Sequence, residues 1–347
     1  MQLCLDIMNA TLLSGNTLDC WLQVITLMLE KIPGTQQINK LRIIHLYEVD
    51  LNLMLNILWS RRLVWSAHDN HMLNNRQAGS WPRKKAIDVV MAKEMKYSVA
   101  WLTGTMLANG DNDAKLCYDR IIVSLCMIIS AHFGMTRAAR KTHAKTSEQM
   151  EFRLRAAMGT CTKSYTNTVE NPVHGMGQGS SSLSAHWLLI SLLIMDCLAG
   201  MGTSMQLLDP GNEETLKQWI DGFVDNTLLF VNLQQDKDNI KQLSKTLTED
   251  LGLWEQLLFA LNIHEIKAAG ASVEITEREN NVASAIKLID CNEAHKTLGT
   301  YKTTTGNQDT QIRVLKKKVN KHAYHQGSSG RVLPSFGELP FCRLGLR

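Results

Sequence analysis

Acidic and amide side chains recur where they could act on one centre. Asp113 and Asp119 lie six positions apart in Asp113-Ala-Lys-Leu-Cys-Tyr118-Asp119-Arg120-Ile121, and Asp225 and Asn226 sit within Gly222-Phe223-Val224-Asp225-Asn226-Thr227. Carboxylates are hard oxygen ligands of the kind magnesium takes. Between them, Gly175-Met-Gly177-Gln178-Gly179 supplies glycines that let a backbone come close to a ligand. Upstream, Lys31-Ile-Pro-Gly and Lys40-Leu-Arg42 offer cations for an anionic partner. Singly, each pattern is weak. Two spaced acids are also what a solvated surface gives, a glycine run can be a turn, and Asp-Asn is an ordinary hairpin tip.

The distribution of charge says more than the total. The net charge of +4 divides into +2 over residues 1–112, −6 over 113–294 and +8 over 295–347. An acidic middle with a basic end suits a metal site beside a surface that holds a polyanion; a solvated surface with a basic tail would look the same. With 347 residues, 44% of them apolar, the chain can bury one large core or two medium ones. Eight cysteines without a CxxC pair argue against a structural zinc site and a disulfide framework. Met1 to Ala10 has no basic leader region, and the apolar run Trp187 to Met195 is about half a bilayer span. An intracellular, thiol-reduced, soluble protein without a membrane partner is expected, with nucleus and cytoplasm both open.

The elements that must position these residues follow from periodicity. The first hundred residues read as mostly helical. Trp21, Leu22, Ile25 and Leu29 recur at helical spacing, as do the apolar positions of Asp50 to Leu63 and of Ala86 to Leu102. Leu41 to Leu46 is β-branched and strand-like. Ile121 to Ser130 and Leu183 to Leu198 are apolar helices, the second opened by the Gly/Ser loop 175–182. Ile220 to Val231 has a hairpin pattern with its turn at Asp225-Asn226. Helices are expected over Asp236 to Phe259 and Asp309 to Tyr324, and a loose tail from Gln326. Strands paired with helices on one side make an α+β arrangement.

In this order, the segments resemble the polymerase domain of a reverse transcriptase from a non-retroviral eukaryotic retroelement, similar to those of diatoms and other marine eukaryotes. The resemblance runs from about Ser14 to Tyr324. Asp113 to Asp119 matches motif A, Gly175 to Trp187 matches motif B, and Phe223-Val224-Asp225-Asn226 falls where the family has its (F/Y)xDD box. Gln77-Ala78-Gly79 with Arg83 resembles the fingers segment Q-x-G-x-R, and Lys296-Thr-Leu298-Gly299 resembles the primer-grip turn. The resemblance implies a right-hand polymerase: a split β-α-β palm, mostly helical fingers and a short helical basic thumb. The implied bounds are fingers and an N-terminal extension over 1–105, palm over 106–290 with inserted fingers helices at about 130–170, primer grip and thumb over 291–325, and tail over 326–347.

The implied activity is RNA-templated DNA synthesis, with an RNA template, a DNA or RNA primer and dNTPs as partners. Two Mg2+ ions, with Mn2+ as a substitute, would activate the primer 3′-OH and stabilise the leaving pyrophosphate. Asp113 and Asp225 are the expected metal ligands, with the backbone at Ala114 completing the shell. Asn226 is the third member of the catalytic set. Lys31 and Arg42 would neutralise the triphosphate, and Gln178 and Gly179 would floor the nucleotide site. Tyr118, five residues after Asp113, would lie under the sugar and exclude a 2′-OH. Leu298 and Gly299 would grip the primer, and Lys316, Lys317 and Lys318 would contact phosphates.

Three departures from the family pattern stand out. Asn226 replaces an aspartate. Leu183-Ser184 replaces Ser-Pro at the start of the motif B helix, where Ser182 or Ser184 could cap instead. The Gly-Gly turn and Lys-Cys pair of motif D are missing after Phe259, and Lys267 is a poor candidate for the motif's lysine. No endonuclease, ribonuclease H, integrase or zinc knuckle is recognisable. The competing reading is a degenerate or domesticated copy that folds and binds primer–template without polymerising. A viral RNA-dependent RNA polymerase is a third reading, and Tyr118 speaks against it.

Overall fold

The fold is that of a computed structural model, which describes residues 2–31, 34, 37, 41–103, 105–114, 117–156, 159–168, 177–203, 205–208, 215–218, 220–233, 240–261, 266–268, 295–297, 300–302, 310, 312–314 and 316–317. It divides into two units, Met1–Leu288 and Ile289–Arg347. In the first, α1 (Gln2–Ser14) and a 3-10 turn precede β1 (Gln23–Glu30) and β2 (Leu41–Leu46). Then α2 (Val49–Leu55) runs through a π-helical stretch, Asn56–Leu63, into α3 (Val64–Asp69), and α4 (Ala86–Thr103) leads to β3 (Met106–Ala114). Next come α5 (Cys117–Arg120), α6 (Val123–His132), α7 (Arg137–Gln149), β4 (Glu151–Ala156), β5 (Gly159–Thr160) and β6 (Tyr165–Thr166). After α8 (Leu183–Met201) follow β7 (Met205–Leu208), β8 (Thr215–Gln218), β9 (Ile220–Phe223), β10 (Asn226–Leu233), α9 (Ile240–Ala260) and β11 (Ile266–Ala268). The second unit holds β12 (His295–Thr297), β13 (Thr300–Lys302) and helical residues within 310–317.

Most expected elements are present within a few residues of their bounds. The helices expected over about 130–170 stop at Gln149, and β4, β5 and β6 follow; the stretch from Trp21 to Leu29 is the other exception. Only Trp21 and Leu22 are in a helical turn, and Gln23–Glu30 is a strand. The β-branched run Val24-Ile25-Thr26 favours extended backbone, and Val24 and Thr26 point inward at a spacing of two. The first hundred residues are therefore largely helical but also contribute two strands to a sheet.

Two sheets organise the first unit. One has the order β2-β1-β4-β5, with β6 also on β4; β1 and β4 are parallel, and the other pairs are antiparallel. The other is antiparallel, in the order β11-β3-β10-β9. Gly110 on β3 leaves room for Leu251 of α9, since a Cβ there would lie 3.0 Å from a Leu251 methyl. The opposite face meets α4. Lys93 Nζ donates to both carboxylate oxygens of Asp111 at 3.0 and 3.1 Å, and Lys96 pairs with Asp221. Both pairs are buried.

The central helix is α8. By length and composition it could cross a membrane, with a mean hydropathy of 1.7. Here it is a core helix, with Trp187, Leu188, Leu189, Ile190 and Met195 almost fully buried among α6, α9 and the π-helical stretch. Its N-cap is Ser182, whose side chain makes no capping bond and instead meets Ser180 Oγ at 3.0 Å.

Candidate active site

The site is built on the β9–β10 hairpin. Its turn is Val224-Asp225, one residue earlier than the spacing suggests, and Asn226 already pairs with Phe223 as the first residue of β10. Across the sheet, Asn226 stands directly opposite Asp113 near the end of β3. The Ala114 N–H donates to the Asp225 carbonyl at 3.0 Å, which fixes the turn to that strand end. The Asn226 Nδ2 donates to Asp225 Oδ1 at 3.2 Å. Asp225 and Asn226 are both half-buried, and Ala114 is buried.

The local sequence makes this turn unusual. Val224 has φ of 58°, a left-handed conformation that is an outlier for a β-branched residue. Its carbonyl accepts from Trp187 Nε1 of α8 and from Gln77 Nε2, and its N–H donates to Gln77 Oε1. Gly79 lies so close that a Cβ would fall 2.2 Å from Val224 N. Arg83, the last residue of that sequence segment, is exposed, with its guanidinium over the Trp65 ring.

Tyr118 on α5 joins the same cluster. It is half-buried, with its ring edge-on to Trp187 at 6.3 Å between centroids. Burial, then Cys117 and Asp225, raise its phenol well above the usual value, so it stays protonated.

A second group gathers at β2. The His45 N–H donates to the Gln178 carbonyl at 2.7 Å. Gly179 has φ of 134°, and a Cβ there would lie 1.9 Å from the His45 carbonyl oxygen. From α2, Asn52 Nδ2 donates to the Gly179 carbonyl at 3.1 Å and its Oδ1 accepts from the Ser181 N–H at 2.7 Å. Arg42 is exposed on the same strand, three residues before His45. Lys31 is exposed just past the end of β1. The loop that docks on β2 opens α8, and Trp187 of α8 docks on the hairpin, so one helix ties the two groups together.

Lys267, on β11, pairs in register with Asp113 from the side of β3 opposite to Asn226. The short connection after α9 thus returns a lysine to this strand end. In the second unit, Lys316 and Lys317 are exposed and helical, and β12 pairs β13 with Thr297 opposite Thr300. Leu298, Gly299 and Lys318 lie outside the described residues.

The Asp225 carboxylate is a hard-oxygen group, of the kind that magnesium takes in preference to softer ligands. Among the described residues no group of three or more His, Cys, Asp or Glu gathers. Sequence reasoning placed Gln77 in the fingers and ended motif B at Trp187 without giving either a role on the hairpin. Spacing alone carries no such signal, because Gln77 and Val224 are 147 residues apart.

Among solved structures, the chain is similar to apo telomerase from Candida tropicalis, with a TM-score of 0.48 and 10% identity over 83% of this chain and 47% of that one. Telomerase from Candida tropicalis in complex with the TWJ fragment of telomeric RNA gives a TM-score of 0.49 and 9% identity, over 88% and 48%. The corresponding complex from Candida albicans gives 0.44 and 12%, over 82% and 47%. The chain spans about half the length of these structures. No family model matches it, and neither does any curated protein.

Proposed function

We propose that this chain is the polymerase domain of a retroelement reverse transcriptase, a right-hand fold with the β11-β3-β10-β9 sheet as its palm. One observation carries the reading: Asp113, next to last in β3, pairs directly opposite Asn226, and the Ala114 N–H binds the Asp225 carbonyl. Two aspartates far apart in sequence thereby meet at adjacent strand ends. Asp113, Asp225 and the backbone at Ala114 would hold two magnesium ions, with manganese as a substitute. Bound there, the ions would activate a primer 3′-OH and neutralise the leaving pyrophosphate. The RNA template and primer would be held through phosphate contacts, Lys316 and Lys317 among them, and the incoming dNTP would lie between β2 and the hairpin. Arg42 and Lys31 would meet its phosphates, Gln178 and Gly179 its base, and Tyr118 its sugar.

Asn226 supports a second reading, a copy that binds primer–template without extending it, because an amide now occupies the position of a carboxylate. One experiment separates the two: primer extension on poly(rA)/oligo(dT), with magnesium and then manganese. Asp113→Ala and Asp225→Ala should each abolish extension and leave duplex affinity within about threefold, since phosphate contacts dominate binding. Extension that survives either substitution ends the two-metal assignment. Wild-type protein that binds the duplex and never extends it leaves the second reading.

A further inference from the structure

Gln77 is fully buried, and its side-chain amide makes four hydrogen bonds. Oε1 accepts from the N–H of Gly79 at 2.9 Å and of Val224 at 3.0 Å. Nε2 donates to the Val224 carbonyl at 3.0 Å and to Ser191 Oγ at 3.2 Å. A primary amide has two donor hydrogens and two acceptor lone pairs, so the set is complete. It also fixes which end is oxygen, because a reversed amide would set N–H against N–H. Two of the four bonds close on the backbone of one residue, and that residue is the strained one. The left-handed region is costly for a β-branched residue such as valine, so this turn needs a holder.

The segment that carries Gln77 is itself anchored. The Gly222 N–H donates to the Arg76 carbonyl at 2.6 Å, and the Ala78 N–H donates to the Gly222 carbonyl at 2.8 Å. Arg76 also pairs with Asp196 on α8, and Asn74 Nδ2 reaches the same carboxylate at 2.7 Å. At Gly222 a Cβ would lie 2.4 Å from Met195 Cε and 2.9 Å from Gln77 Nε2. The strand and the strap are thus in direct backbone contact, with the glutamine amide wedged behind the turn.

We infer that Gln77 is a positioning residue, which clamps Val224 in its left-handed turn and so presents Asp225 beside Ala114 and the end of β3. Its catalytic consequence rests on the polymerase reading; the clamp itself does not. Gln77 is fully buried and acts through the turn.

Amide hydrogen exchange tests the clamp without any need for activity. Gln77→Met keeps the length of the side chain and removes all four bonds. The Val224 and Ala114 amides should exchange about tenfold faster or more, while amides deeper in β10 keep their protection. In primer extension, kcat should fall about tenfold or more, with the KM for dNTP and the duplex affinity within about threefold. Adding Val224→Gly, for which the turn is unstrained, should restore most of kcat. Unchanged exchange at Val224 and Ala114 overturns the inference, and so does equal acceleration throughout β10. If Gln77→Met does not fold, Ser191→Ala removes one partner of Nε2 alone and should speed Val224 exchange about threefold; no change there overturns the inference as well. A wild-type protein that extends no primer yet shows this exchange pattern keeps the clamp and loses only the polymerase reading.

Discussion

Asn226 donates to Asp225 and stands opposite Asp113 in the ladder, so an aspartate in its place would add a third acid at this corner of the sheet. With magnesium bound, that charge is an asset; without it, the acids repel. Asn226→Asp should therefore raise the magnesium-dependent extension rate and lower the metal-free melting temperature, both measured on one preparation. A fall in rate would remove Asn226 from the metal site. At Tyr118 the ring leans on Trp187 and its phenol stays protonated, so the side chain offers bulk and no charge. Tyr118→Val should admit UTP far better than wild type and reduce dTTP use much less, read as the ratio of kcat/KM on one primed template. An unchanged ratio would make the tyrosine a packing residue and return the RNA polymerase reading. Asp113, Tyr118 and Asp225 could be picked out of the sequence because their types and order are themselves the signal. Gln77 was picked out only as part of the fingers segment, and its role on the hairpin was not legible, since a buried glutamine shows its purpose only when its four partners are known.

The strand–loop contact between β2 and residues 177–182 depends on glycine at Gly177, against the His45 ring and Tyr47, and at Gly179. A Cβ on Gly179 would overlap the His45 carbonyl oxygen, and its φ of 134° is strained for any other residue. Gly179→Ala should push the loop off β2 and raise the KM for dNTP more than it lowers duplex affinity, as steady-state extension and a binding titration would measure. Equal losses in both would mean that the loop supports the whole fold. The glycine run and the strand Leu41–Leu46 were each legible in the sequence, but their contact was not, because no periodicity links a loop to a distant strand. Misreading Trp21 to Leu29 as a helix has a related cause. Four apolar residues fell on a 3–4 spacing by composition, while the deciding pair, Val24 and Thr26, faces β-sheet neighbours from β2 and β4.

At the scale of the whole molecule, the core carries two neutral histidines. His143 and His186 lie 5.3 Å apart between ring centroids, both against Trp59, and neither His143 Nδ1 nor His186 Nε2 has a hydrogen-bond partner among the described residues. Burial pushes His143 well below the usual value of 6.5, and His186 down to about 3. The unfolded chain therefore takes up protons first as the pH falls. Stability is full above about 6.5 and declines below it, by up to about 1.4 kcal/mol per pH unit for each histidine. Urea midpoints between pH 7.5 and 5 should fall accordingly, and His186→Leu should flatten the slope; an equal slope would assign the loss to other groups. The fold also has a schedule. Gln77 and Val224 are 147 residues apart, which at ribosomal rates puts roughly 7–30 s between their syntheses. The partner that completes the burial of α8 is α9 (Ile240–Ala260), which is made later still. Until then the nascent chain carries the apolar helix 183–201, with a mean hydropathy of 1.7, without the partner that covers it.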